Sequence, residues 1–429
     1  MQINFDCHSL LNKGDYDMAH TLEKNSYKKK VLASSMLGLG LEGMDIMFLS
    51  FVLSTIITEF GISSAAGGLI ASITNIGMLV GGVTFGILAD KYGRIRVFTY
   101  TIFLFSIATV LIGFANNIYV IYFLRFLAGV GGGGEFGIGM ALVAEVFSKE
   151  KRGRMTSWVT IGGQMGAVLA AVLAAIIIPI FGWRALFFAG IVPVLLAFFV
   201  RRNLDETEEW KQAQKKIKKN EKRKSSLAQL FNSRKTTYVT IALTIMSTVQ
   251  VAGYFGLMNW LPSILQDRLG LSVSGSSLWM ISTIIGMCAG MLLFGQILDR
   301  FGAKTSYGIF LIASAASVFL YVFAQSAIAI LIGGAIVGFF ANGMNAGYGA
   351  LISSFYPTEV RSTANNTIFN TGRALGGLSP IVIGFLLDKY SITAAMTFLS
   401  ILYIISLVII MTLKGNPLKG MKHGEIAEE

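Results

Sequence analysis

Five charged side chains stand inside apolar stretches where charge is costly: Glu42, Asp45, Arg125, Glu135 and Arg373. A cation at the centre of a bilayer costs at least ~2.5 kcal/mol on insertion scales, so it is kept only facing a partner or a wet cavity. Glu42 and Asp45 are three residues apart and so share one helix face. Two carboxylates that close in a low dielectric resist ionising together, so one is expected to hold a proton near neutrality. His8, His20 and His423 all lie in polar tails, so any proton exchange within the apolar runs must use the carboxylates. A guanidinium forks onto a carboxylate with two hydrogen bonds, which suits Arg125 and Arg373 to an anionic cargo. Three acids against two arginines already leave a negative excess. An added anion worsens it and a proton relieves it, which is a physical reason for the two to travel together.

Each residue also has a plainer reading. Arg125 lies near one end of the run Tyr119–Val146, where it could snorkel to the interface or hold a fixed pair with one acid. The glycines around it, Gly129, Gly131, Gly132, Gly133, Gly134, Gly137 and Gly139, favour a polar hole between closely packed helices. Arg125 is therefore expected to meet a substrate carboxylate or to balance Asp45 and Glu135. Arg373 is the stronger substrate ligand, because no acid falls inside the apolar runs of its own half of the chain. Gln164 can add a neutral donor. Asn259, Asn342 and Asn345 are either ligands or interhelical glue, and Tyr254, Trp260 and Tyr348 either an aromatic lining or packing. Glu145 falls near the end of its run, within reach of loop basic residues. The glycine run has neither a preceding strand nor an acid about 20 residues on, so it is not a dinucleotide loop.

These residues must be positioned by membrane helices. The 429-residue chain is 54% hydrophobic and 14% charged, with a mean hydropathy of +0.66, far too apolar for an ordinary soluble protein. Twelve apolar runs are long enough to span a bilayer: 31–57, 67–89, 96–114, 119–146, 155–179 and 183–201, then 237–264, 273–297, 304–324, 327–355, 364–387 and 392–413. The fold class expected is all-α, in two six-helix bundles, 31–201 and 237–413. A tail precedes the first (1–30), a linker joins them (202–236) and a second tail follows (414–429). No removable signal peptide is evident at the start. Cys7 and Cys288 are too few and too far apart for a disulfide framework or a zinc site.

The formal charge of +12 would suggest nucleic acid in a soluble protein. Here the basic residues cluster in alternate connectors and read as topology signals and anionic-lipid contacts, with no nucleic-acid partner. One set holds Lys91, Arg94, Arg96, Lys149, Lys151, Arg152, Arg154, Arg300, Lys304 and Arg361. The other holds only Arg184, Arg268 and Lys389. Both termini and the linker are therefore expected in the cytoplasm, with the protein in the cell membrane. The linker, with KQAQKKIKKNEKRK inside it, is expected to lie solvated on the lipid surface.

An internal repeat joins the two bundles. Gly86-Ile-Leu-Ala-Asp90-Lys-Tyr-Gly93 returns as Gly295-Gln-Ile-Leu-Asp299-Arg-Phe-Gly302, a shift of 209 residues. The same shift carries Glu150 and Arg152 onto Glu359 and Arg361, Gly129 and Gly134 onto Gly338 and Gly343, and Gln164 onto Arg373. One offset at separated places indicates parallel repeats, an arrangement suited to rocking around a central site. Gly86 to Arg96 and Gly295 to Lys304 resemble the paired loop motifs of the major facilitator superfamily. Arg125-Phe-Leu-Ala-Gly129-Val-Gly131 resembles its helix 4 motif, and Tyr356-Pro-Thr-Glu-Val-Arg361 its loop after helix 10. Within it, Glu42-Gly-Met-Asp45 is similar to the Asp-Gly-x-Asp of aromatic-acid proton symporters, with Glu in the first place. Gly372-Arg373 through Pro380 is similar to their helix 11, and Gly133-Gly-Glu135 to related metabolite and sialate symporters.

The resemblance implies a proton-coupled symporter that takes up a small organic anion by alternating access, without cofactor and as a monomer. Together with the buried charges, this sets the expected substrate contacts at Arg125, Arg373, Gln164, Asn259, Asn342, Asn345, Tyr254 and Tyr348, with proton coupling at Asp45, Glu42 and Glu135. The cytoplasmic gate falls to Gly86, Asp90, Gly93, Arg94, Arg152, Asp299, Gly302, Glu359 and Arg361. In that gate Asp90 is expected to accept from a helix N-terminus or from a loop arginine such as Arg152. The alternatives are a sugar or polyol proton symporter and a drug efflux antiporter. Sugars do not need two buried arginines, lipophilic cations are repelled by them, and Ile161–Gly166 lacks the Gly-x-x-x-Gly-Pro of drug antiporters. An intramembrane enzyme would need a nucleophile with a base or metal ligands, which the apolar runs do not offer.

Overall fold

The computed structural model describes residues 13–191, 195, 204–219, 226–269, 273–323 and 326–413. Its side chains are described from residue 25 on, apart from 54, 64–65, 216–219, 259–269, 273–281, 327, 330 and 388. Every regular element among them is helical. In the first half these are α1 (Lys13–Phe60), α2 (Ser64–Tyr92), α3 (Arg94–Ile112), α4 (Ile118–Gly133), α5 (Glu135–Val146) and α6 (Lys149–Ala189). The linker carries α7 (Glu208–Lys219) and α8 (Ser226–Gln229). The second half has α9 (Arg234–Leu269), α10 (Val273–Phe301), α11 (Ala303–Ser317), α12 (Leu320–Phe323), α13 (Ala327–Val337) and α14 (Tyr348–Phe355), then α15 (Arg361–Gly376), α16 (Ser379–Lys389) and α17 (Ile392–Thr412).

Ten helices among the described residues are long and apolar enough to cross a membrane. The start of the sixth expected span follows α6 past a kink at Gly182 (φ 77°), and most of it beyond residue 191 lies outside the described residues. The eleventh is missing because the expected run is split at Gly377 and Leu378 into α15 and α16. With these two the architecture fits twelve spans. Serine and asparagine caps mark several starts. Ser63, Ser326 and Ser391 each accept from the N–H three residues on, and Asn117 from that of Tyr119. Large apolar side chains face outward, among them Phe114, Phe181, Phe323 and Ile381, as a lipid-facing surface requires.

The repeat is structural. Gly93 (φ 116°) and Gly302 (φ 79°) hold the same left-handed turn between the second and third helix of each half, a conformation costly for other residues. Gly134 interrupts the fourth helix, and its counterpart Gly343 separates a π-helical turn (Gly338–Asn342) from a 3-10 turn (Met344–Gly347).

Within the first half, α1 and α6 touch backbone to backbone. A Cβ on Gly43 would lie 2.2 Å from Gly163 O, and one on Gly166 would lie 1.8 Å from Gly40 O. Between the halves the seam is formed chiefly by α2 with α15 and α6 with α10. Phe136 stacks on Phe369 across it, with centroids 3.8 Å apart. The linker departs from expectation. Its stretch 204–215 does not lie solvated on lipid but packs against the bundle, burying Thr207 and Ala213. At the other end of the chain, α1 starts at Lys13 and so takes in part of the expected tail.

Candidate functional site

Arg125, on α4, places Nη1 2.7 Å from Asp45 Oδ2. Its Nε donates to Thr74 Oγ1 at 3.2 Å, and Asp45 Oδ1 accepts from Thr109 Oγ1 at 3.0 Å. Four helices of one half thus enclose the pair, and the two side chains are only 1% and 2% exposed. Of the two acids expected opposite Arg125, Asp45 is the one bound. Glu135 is fully buried at the first position of α5.

Arg373 lies in the last turn of α15. The sequence offered no acid within its own half, and the fold brings one from the opposite half. Arg373 Nη1 forms a short ion pair with Glu42 Oε1, sits 3.1 Å from Met78 Sδ, and its guanidinium lies 5.4 Å from the Phe369 ring centroid. Arg373 is 15% exposed and Glu42 5%. Glu42 and Asp45, three residues apart on α1, lean on different arginines.

The neutral candidates divide. Tyr254 packs with Ile161, Met287 and Met291, within electrostatic reach of Arg373. Asn342 accepts from Gln250 Nε2 at 3.0 Å and donates to Met287 Sδ at 3.4 Å, so its amide is spent on holding helices together. Tyr348 is core: it is 1% exposed, and its hydroxyl donates to Met246 O at 2.8 Å. Gln164 and Asn345 are half-buried on α6 and the 3-10 turn. The side chains of Asn259 and Trp260 lie outside the described residues. A cavity of about 10 Å³ beside Asn342, Thr283 and Met287 has room for roughly one water. A larger one, about 570 Å³, lies away from both arginines, at the basic face among Lys28, Lys29 and Lys151.

That basic face is shut. Asp90 accepts from Ser362 N at 3.2 Å, Thr363 N at 2.8 Å and Thr363 Oγ1 at 2.7 Å, and pairs with Arg94 at 3.1 Å. Asp299 repeats the motif on the other side, accepting from Gly153 N at 2.6 Å and Arg154 N at 2.9 Å. In both places a carboxylate meets N–H groups of a helix of the opposite half: Asp90 the free ones that open α15, and Asp299 those of the fifth and sixth residues of α6. Gly86 packs on Thr363, leaving no room for a side chain. Arg94 and Arg361 both reach Glu145, at 2.9 and 3.7 Å, as expected for an acid near the loop basics. Arg152, expected opposite Asp90, instead donates to Phe147 O at 3.2 Å. Glu359 is half-buried in the turn before α15.

The linker supplies contacts at this face that the motifs did not indicate. Glu206 accepts from the N–H groups of Arg94, Ile95 and Arg96 at 2.8 to 3.2 Å, capping α3. Glu209 pairs with Arg361 at 3.2 Å, and Trp210 and Gln214 donate to Asp90 O at 3.2 and 2.7 Å. The acidic run Asp205 to Glu209 beside a strongly basic linker was the available signal.

Two helical repeats thus meet through paired aspartate contacts around buried arginine–carboxylate pairs. The Major Facilitator Superfamily model matches residues 35–290 and 243–428. The chain belongs to that superfamily and is a transporter rather than an enzyme. It is 40% identical to a putative metabolite transport protein of Haemophilus influenzae, covering 93% of this chain and 100% of that one. It is 32% identical to a cis,cis-muconate transport protein of Acinetobacter baylyi, covering 87% and 91%. Among solved structures, the proton:xylose symporter XylE superposes with a TM-score of 0.76 over 91% of this chain and 96% of that one, at 18% identity, a likeness of fold.

Proposed function

We propose that the protein is a proton-coupled symporter of a small organic anion, with Arg373 as the substrate's counter-ion and Glu42 as the proton carrier. One observation carries this reading: the Arg373–Glu42 pair bridges the two halves and keeps part of its surface open, whereas Arg125–Asp45 is sealed. A carboxylate arriving at Arg373 must displace Glu42. Glu42, losing its counter-charge in a low dielectric, then takes a proton. Anion and proton thus bind as a neutral set, and the freed halves can rock. Tyr254, with Met287 and Met291, offers an apolar wall for the body of the anion. The muconate transporter among the relatives, named for a carboxylate, supports this cargo class. The loop basics support a reading in which the latched face lies in the cytoplasm of a cell membrane and the carrier works as a monomer.

The test is uptake into proteoliposomes with a panel of carboxylates and a lumenal pH indicator. Anion entry that acidifies the lumen is expected. Entry with no proton movement, or uptake of neutral solutes in preference to carboxylates, would refute the reading.

A further inference from the structure

Asn366 and Asn370 sit one turn apart on α15, and both reach into the opposite half. Asn366 Oδ1 accepts from Gly137 N at 2.7 Å, and its Nδ2 donates to Gly134 O at 3.2 Å. Asn370 Nδ2 donates to Gly133 O at 2.8 Å. Gly133 O and Gly137 N–H are four residues apart, the two partners of an ordinary α-helical hydrogen bond. The helix lapses between them, at Gly134, and each group bonds to an asparagine instead. The two amides therefore stand at both ends of one missing rung. Both asparagines are buried, at 0% and 1% exposure.

The same stripe of α15 carries Thr363 on Asp90 below and Arg373 on Glu42 above. The halves cannot part at the basic face without withdrawing both asparagines. Backbone groups at this depth must stay satisfied, because hydrocarbon offers no partner. Once the amides leave, Gly137 N–H and Gly133 O can close on each other and restore a continuous helix.

We propose that Asn366, Asn370 and the Gly133–Gly137 rung form a two-state element of the gate. With the basic face shut the amides are inserted and the rung is open; with it parted the amides are withdrawn and the rung is closed. The exchange swaps one set of backbone bonds for another, so opening strands no buried polar group on the first half. It also acts on the helix that joins Arg125 to Glu135, which makes Asn366 and Asn370 positioning residues for alternating access. The inference rests on the halves parting at this face during transport and not on the cargo being an anion.

The glycine at 137 is part of the device, since a Cβ there would lie 2.2 Å from Asn366 Oδ1. Gly137→Ala should block insertion and favour the continuous helix together. The readout is maleimide labelling of a Ser362→Cys reporter, buried beneath the Asp90 latch, in a Cys7→Ser/Cys288→Ser background in nanodiscs. Labelling is expected to rise about tenfold in Gly137→Ala and in Asn366→Ala/Asn370→Ala, the shift that one or two net hydrogen bonds produce. Asn365→Ala is the control. It is equally buried, but its amide bonds Ser353 Oγ at 2.9 Å and Arg361 O at 3.0 Å within its own half. Labelling there should stay within about twofold of the parent, as expected when no contact between the halves is lost. No rise in Gly137→Ala, or an equal rise in Asn365→Ala, overturns the proposal. Should the double asparagine variant fail to fold, Gly137→Ala, made from the other half, still decides. The labelling needs no substrate, so an error about the cargo would leave this result intact.

Discussion

Arg125 meets Asp45 among helices of a single half, with threonine hydroxyls on both partners and almost no exposed surface. Arg373 meets Glu42 across the seam, with an aromatic face and a thioether beside it and part of the guanidinium open. The chemistry is alike and the mechanical setting is not. Rocking of two rigid halves leaves the first pair untouched and must break the second. The contrast shows that a buried arginine is informative only with its partner's location: one of these pairs lies within a half, and the other spans the two.

The largest effect expected from that contrast is on stability. Arg125→Ala strands Asp45 in a dry interior, and thermal unfolding in detergent should show a loss of about 3–5 kcal/mol. Arg125→Met with Asp45→Leu should recover most of it, because apolar replacement of a whole buried pair is often neutral. A stable single variant would erase the distinction between the pairs.

Next comes Arg373→Lys. It keeps the charge but loses the fork onto a carboxylate, so anion uptake should fall about a hundredfold while the unfolding temperature barely moves. Unchanged uptake would transfer the substrate role to Arg125.

Glu42→Gln should separate flux from coupling. Under a pH gradient of one unit the parent, moving one proton per anion, accumulates cargo about tenfold. The variant should only equilibrate it, while counterflow exchange persists. Retained accumulation would pass the coupling role to Glu135.

The smallest effect compares the two latches. Asp90 takes three hydrogen bonds from α15 and its flanking linker braces it, whereas Asp299 takes two from α6. Uptake should fall about tenfold in Asp90→Asn and about threefold in Asp299→Asn, in proportion to the charge-assisted bonds weakened. Equal losses would mean that the extra bond to Asp90 adds nothing to closure.

Hydropathy and the 209-residue shift made the fold legible, and with it the equivalence of the Asp90 and Asp299 loops. Asp45 was legible as a partner of Arg125, because both sit in the first half's apolar runs. Glu42 opposite Arg373 was not. Periodicity assigns faces within one helix and says nothing of which helix of the other half will face it. Asn366 and Asn370 were passed over for a similar reason, although polar residues at 363, 366, 370 and 373 already trace a stripe on α15. The linker misled because its mean charge hid an acidic start, in which Glu206, just before α7, binds helix N–H groups.

The glycine seam between α1 and α6 has a bearing on how this lineage can diversify. A wall in which Gly43 and Gly166 leave no space for a single methyl group cannot be remodelled by stepwise enlargement, so the side of the chamber bearing Glu42 is frozen in shape. Descendants that acquire new nutrients should therefore differ from this protein mainly along α9 and α10, where methionines and Tyr254 can be exchanged one at a time without moving a backbone.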